Sequence, residues 1–313
     1  MPEVALQWLT SSAPAAPLWT VGVPTTQAAT RAVVALAGFS VSFAKNGTPT
    51  SSQLLALEVR AIIHQMSSSP GSTGALTWVA IEVITRLSSG GATDISLGDF
   101  QVALLVVDPV GESAASVGVA SALGSSSSPV SLDDLPVTSA TPMLAGFGAT
   151  YQDERHKIST LEVSGVSAML TSTEQGQTVT VDGDVTLSDS SNHVGAGSVD
   201  VSYLALGSGS SVQTSLVTAT LSQLQSNAQQ SASFGSVTVT SAVVAIRTFD
   251  FGFSSALGDQ EIETVAIQVS TPTFSGATVS FSAQASLGAS VAPDTMQVTF
   301  LVIAVVSASG GAS

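Results

Sequence analysis

A chain of 313 residues, 44% of them apolar and with Ser, Thr and Gly supplying most of the rest, has room for two or three domains and the composition of packed β-structure rather than of disorder. Seven Lys and Arg against 22 Asp and Glu give a net charge of −15, which leaves too few cations to neutralise a nucleic-acid backbone. The absence of cysteine excludes disulfides, thiolate metal sites and cysteine nucleophiles.

The N-terminal segment MPEVALQWLTSSAPAAP lacks a basic start and has only a short apolar stretch, so it reads as a poor signal peptide. Trp8 and Trp19 lie in this proline-rich segment and are expected to dock on another surface. The first strand of the main body carries Ala37, Gly38 and Phe39, and a polar loop from Lys45 to Ser51 follows it. Leu55, Leu57, Val59, Ala61 and Ile63 then alternate at the period of a strand that ends near the lone His64. After an insertion from Gln65 to Ala75 comes a third strand with Val79, Ile81, Val83, Thr85 and Leu87 on one face and Trp78 beside Ala80 and Ile84 on the other. A closing strand carries Phe100, Val102, Leu104 and Val106.

The same succession returns twice, and this repetition is the strongest signal in the chain. Gly111 to Ser131 reads as a Ser- and Gly-rich linker. Ala145, Gly146 and Phe147 then match the first strand, and the loop after it holds a dense charge cluster, Asp153, Glu154, Arg155, His156 and Lys157. Leu161 and Val163 change phase at Gly165 before Val166, Ala168 and Leu170, as a bulge requires. Val179, Val181, Gly183, Val185 and Leu187 repeat the third strand 100 residues on, and Val199, Val201, Tyr203 and Ala205 close the set. A second linker runs from Gly207 to Ser215, and Ser215 to Gln230 predicts a short helix or a long connection. The last copy carries Arg247, Thr248 and Phe249, a loop from Ser254 to Gln260, then Val265, Ile267 and Val269. It ends with Val279, Phe281, Ala283, Ala285 and Leu287, and with Met296, Val298, Phe300 and Val302.

One apolar face per strand and Ser, Thr or Asp on the other predict an all-β protein of three tandem antiparallel β-sandwich modules, 1–107, 108–207 and 208–313. Similar modules present similar side surfaces, so an approximate three-fold arrangement, a pseudo-trimer, is expected. The longest apolar runs, such as Phe300 to Val306, are too short to span a bilayer, and the chain is expected to be soluble without membrane insertion.

The chemistry is sparse. No G-x-S-x-G elbow occurs, and three histidines among many serines carry little information, so no enzyme, no catalytic residue and no cofactor is expected. The acidic candidates are Asp182 and Asp184, which share a strand face, Asp133 and Asp134, and Asp189 beside Asn192 and His193 in a polar turn. None of these supplies the several oxygen ligands that a calcium site gathers, so no metal is expected. The loop from Asp153 to Lys157 is the candidate contact site for a neighbouring subunit or an anionic ligand.

A Gly-Phe strand, a polar loop, an alternating strand, a third strand ending in Leu-Ser-Asp or Leu-Gly, and a closing strand such as VDVSYLALG or MQVTFLVIAV resembles the H-type lectin domain of snail agglutinins and discoidins. The resemblance implies a six-stranded β-sandwich of roughly 100 residues that assembles as trimers and binds N-acetylgalactosamine-type sugars at subunit boundaries. This chain departs from the family at the sugar site: Tyr203 stands where the family places tryptophan, and the other copies offer Leu104 and Phe300. Two functions follow as expectations. The preferred one is a structural subunit of a self-assembling fibre, sheath or virion- or cell-surface structure, forming a homo-oligomer or filament outside the cell or on a virion. The alternative is a carbohydrate-binding lectin or adhesin with a glycan partner.

Overall fold

The computed structural model describes residues 4–11, 18–22, 31–45, 48–68, 76–90, 95–107, 115–122, 127–132, 137–174, 176–289 and 291–308. The first third of the chain forms β1 (Val4–Ser11), β2 (Leu18–Gly22), β3 (Arg31–Lys45), β4 (Thr48–Pro49), β5 (Ala56–Ser68), β6 (Leu76–Ser88) and β7 (Ile95–Val107). The middle third forms β8 (Ala115–Ala122), β9 (Val130–Leu132), β10 (Val137–Thr150), β11 (Thr160–Thr173), β12 (Gly176–Ser188) and β13 (Val194–Gly207). The last third forms β14 (Val212–Thr220), the helix α1 (Leu221–Gln225), β15 (Gln229–Ser233), β16 (Val237–Gly252), β17 (Ile262–Val269), β18 (Thr273–Ser275), β19 (Thr278–Ala289) and β20 (Thr295–Ala308).

The fold is all-β and sandwich-like, built of antiparallel sheets. An eight-stranded sheet runs β1-β7-β3-β17-β19-β15, with β4 on β3 and β18 on β19. A twelve-stranded sheet runs β14-β20-β16-β11-β12-β13-β10-β5-β6-β2, with β8 on β13 and β9 on β12. Three pairings join different thirds: β3 with β17, β16 with β11, and β10 with β5. They link first to last, last to middle and middle to first, with Phe39 opposite Ile267, Phe249 opposite Val163 and Phe147 opposite Val59. The three phenylalanines meet, their ring centroids 5.6, 6.3 and 5.1 Å apart. Beside them, short bridges repeat the same cycle, Ser52 with Ile262, Leu54 with His156 and Ile158 with Gln260.

Each join carries its own polar contact. Arg60 on β5 binds Asp200 on β13 and also donates to Glu58 at 2.7 Å. The Gln101 amide donates to the Val269 carbonyl at 2.6 Å and accepts from the Val269 N–H at 2.7 Å. Arg247 donates from Nε and Nη2 to the Val166 carbonyl, both at 3.3 Å. The glycines of the Gly-Phe pattern make room for two of these contacts. A Cβ at Gly38 would stand 2.2 Å from the Gln101 amide oxygen, and one at Gly146 would stand 2.6 Å from Arg60 Cγ.

Several expectations are corrected. Strands β3, β7, β10, β13, β16 and β20 do not expose one face to water. One set of their side chains enters the main core with Phe39, Phe147 and Phe249; the other set, including Val33, Ala103, Met143, Leu204, Val243 and Leu301, forms a second core drawn from all three thirds. This is why VALLVV and FLVIAVV are apolar at consecutive positions. The segment from Gly111 to Ser131 is not only linker, since ASVGVASA forms β8 and pairs along β13. The N-terminal segment contributes β1 and β2, outer strands of β7 and β6, and Trp8 is half-buried on β1. Ser215 to Gln230 resolves into the end of β14, the short α1 and the start of β15. The phase change at Gly165 is a register shift between Ser164 and Ser167, with Gly165 at φ +63°. Asp133 and Asp134, and the side chains of His64, Trp19 and Trp78, lie outside the described residues.

Candidate functional site

The antiparallel register of β11 and β12 sets Thr160 opposite Ser188, which brings the loop before β11 beside the turn after β12. Two polar segments far apart in sequence, Asp153–Lys157 and Asp189–His193, therefore meet. His156 is anchored by its backbone, which exchanges hydrogen bonds of 2.8 and 2.9 Å with Leu54. Its ring is buried, as is the Asp189 carboxylate, whereas Glu154, Arg155 and Lys157 are exposed. The charge cluster thus divides: Asp153 and His156 join the new site, and the other three residues face solvent.

Asp189 organises the site. Its Oδ1 accepts the backbone N–H groups of Ser191 and His193, both at 2.9 Å. Its Oδ2 lies 2.8 Å from His193 Nδ1 and 3.1 Å from His156 Nδ1. The two imidazoles stack at 4.2 Å with planes 27° apart. On the far side of His156, Nε2 stands 3.1 Å from Asp153 Oδ1. Burial works to raise the Asp189 carboxyl, but the His193 side chain and the two backbone donors outweigh it and hold it below the usual range. The hydrogen bond to Asp189 raises the His193 imidazole. Asp153 is lowered by the Glu154 backbone N–H and by His156.

Tyr151 packs against the site. Its ring lies 4.6 Å from that of His156, and its buried hydroxyl has no hydrogen-bond partner among the described residues. Burial, then the negative charge of Asp189, Asp259 and Asp153, raises its pKa far above the usual phenol value. Asp259, from the last third, ties down the turn by accepting from the Ser190 N–H and hydroxyl, both at 2.8 Å. Both polar segments are legible in the sequence, and their meeting is not. The available signal was the β11–β12 hairpin register, together with a tyrosine four residues after Phe147 where Phe43 and Phe253 follow Phe39 and Phe249 at the same distance.

Asp182 and Asp184 stay apart from this site, on β12 opposite Ser167 and Ser164 across the bulge. A second feature is an open groove of about 260 Å³ over β13, β10, β5 and β6, lined by Glu58, Arg60, Arg86, Gly148, Gly197 and Ser198 among others. No protein-family model and no curated protein matches the chain.

Proposed function

We propose that the chain is a non-catalytic structural subunit of a self-assembling fibre, sheath or virion- or cell-surface structure, in which three sandwich modules in one chain stand where three separate subunits would. The observation that carries this reading is the cyclic pairing of β3 with β17, β16 with β11 and β10 with β5, backed by an apolar core drawn from all three thirds. An apolar, strand-sharing contact of this kind has the character of an obligate subunit interface. The resemblance to H-type lectin domains, which trimerise, is in keeping with it. The outer strands supply the next contact. Trp8, Val119 and Leu216 stand opposite Ala103, Ser202 and Leu301 on β1, β8 and β14, and Val119 and Leu216 are 56% and 50% exposed. Trp8 packs on the chain's own core, whereas Val119 and Leu216 offer apolar side chains for association between chains.

The test is sedimentation and electron microscopy of the purified protein and of the double variant Val119→Lys, Leu216→Lys. Ordered assemblies that the variant loses while keeping its circular dichroism support the reading. A wild-type chain that stays a single particle at high concentration overturns it.

A lectin is the second reading, favoured by the groove. Arg60, Arg86, Glu58 and Ser198 stand over a floor opened by Gly148 and Gly197, where strands of two thirds join. Glycan-array binding by dispersed particles, abolished by Arg86→Ala, would select it.

A further inference from the structure

We propose that Asp153, His156 and His193 form a three-ligand site for a zinc-type divalent metal ion, with Asp189 as the residue that positions both imidazoles. Each of the three offers one ligand atom, and these atoms lie within 4.8 Å of one another. Tetrahedral zinc with ligands at about 2.0–2.2 Å needs them somewhat closer. The buried His156 is the fixed point and Asp189 holds His193, so Asp153, with its side chain 58% exposed, is the ligand that would move to close the difference.

The placement of Asp189 points to a cation here. Both Nδ1 atoms lie against one carboxylate oxygen of Asp189, at 3.1 Å from His156 and 2.8 Å from His193, which leaves Nε2 of each ring for another partner. A carboxylate that takes the far N–H of a histidine is the usual device for fixing the tautomer of a metal ligand. In His156 the Nε2 atom stands 3.1 Å from Asp153 Oδ1, so two ligand atoms already face one another. A metal ion between them would be bound by both, and His193 Nε2 would supply the third ligand. Two imidazoles and one carboxylate suit zinc, and more generally the later first-row divalent ions, better than magnesium or calcium.

The fold itself does not require these residues. The backbone bridge made by His156 is made equally by Ser52 and by Gln260, and the place of Tyr151 is held elsewhere by Phe43 and Phe253. The polar set in the middle third is therefore an addition to a frame that closes without it. The Tyr151 ring packs against that of His156, and its buried hydroxyl, without a hydrogen-bond partner among the described residues, is a second sign of a polar guest. Three protein ligands leave a fourth position for water.

The full-length protein, stripped with a chelator and dialysed, is titrated with zinc chloride by calorimetry and with cobalt chloride by visible absorption. One equivalent of zinc and the absorption bands of tetrahedral cobalt are expected. His193→Ala should weaken zinc binding at least tenfold, and Asp189→Asn by about 10- to 100-fold through lost orientation. His156→Gln restores the residue that the last third carries at this place, so it should fold normally and lose the metal. Glu154→Gln, on the same loop but facing solvent, should bind like wild type. Absence of saturable zinc or cobalt binding in the folded wild-type protein overturns the proposal, as does binding that survives both His193→Ala and His156→Gln. Nitrogen NMR showing His156 protonated on both ring nitrogens in the presence of excess zinc also overturns it, because a proton then fills the gap.

Discussion

Replacing Phe147 by alanine tests whether the three thirds of the chain are one cooperative body. Phe147 is fully buried, pairs with Val199 and Val59 on its two sides, and touches the rings of Phe39 and Phe249 at 5.6 and 5.1 Å. Returning its side chain to water loses about 1.5–3 kcal/mol, and each of two aromatic contacts adds about 0.5–1.5 kcal/mol. Phenylalanine truncation in cores costs about 3–5 kcal/mol, so a loss of about 4 kcal/mol is expected. All three tryptophans, Trp8, Trp19 and Trp78, belong to the first third, whereas the substitution is in the middle third. Urea unfolding followed by tryptophan fluorescence and by circular dichroism should therefore give one shared, lowered midpoint. A fluorescence midpoint that stays at the wild-type value while the circular dichroism midpoint falls would refute the reasoning, as would a loss below about 1 kcal/mol. Phe274→Ala, at a side chain 44% exposed, is the control and should stay within about 0.5 kcal/mol of wild type.

Three further outcomes are expected. Leu187→Ala should cost about 2–5 kcal/mol in chemical unfolding, since Leu187 is fully buried in the main core. Arg60→Met should cost about 3 kcal/mol by leaving the Asp200 charge, 12% exposed, with the Ser121 hydroxyl but no counter-charge, while Arg60→Met with Asp200→Leu should come close to wild type; a double variant as weak as the single would sink the argument. The Asp250 carboxyl is raised by burial and by Glu162, which stands directly opposite on β11. Its proton is therefore held more tightly in the folded chain, a stabilisation present in full below the ordinary aspartate pKa and lost as pH rises through the raised value. Asp250→Asn should accordingly raise the melting temperature at pH 7 and leave it unchanged near pH 3; equal shifts at both would contradict this.

The strand phases were legible because period-two alternation is strong wherever one face is buried, and Gly165 marked its bulge by breaking that alternation. What misled was the reading of each strand as one-faced. VALLVV and FLVIAVV are apolar at successive positions, the pattern of a strand covered on both sides, and this pattern pointed to the second core. β8 was hidden because ASVGVASA is made of small residues that also suit a linker. The Asp189–His156 contact spans 33 positions and depends on which residues of β11 and β12 face each other, a matter of register that composition does not reveal.

The closing of the cycle sets the order in which this protein can fold. Ser42 on β3 reaches Thr264 on β17 at 2.8 Å across a separation of 222 residues. During synthesis the edge of β3 must therefore wait, unpaired, until nearly the whole chain has emerged, and the edge of β11 waits likewise for β16. A waiting edge accepts a strand from any chain that offers the right one. At low concentration the chain's own β17 is expected to arrive first; in a crowded setting a neighbour's β17 would compete, and the same hydrogen bonds would then run from molecule to molecule. Refolding yield should consequently fall as protein concentration rises, with the soluble by-products being linked chains of native secondary structure.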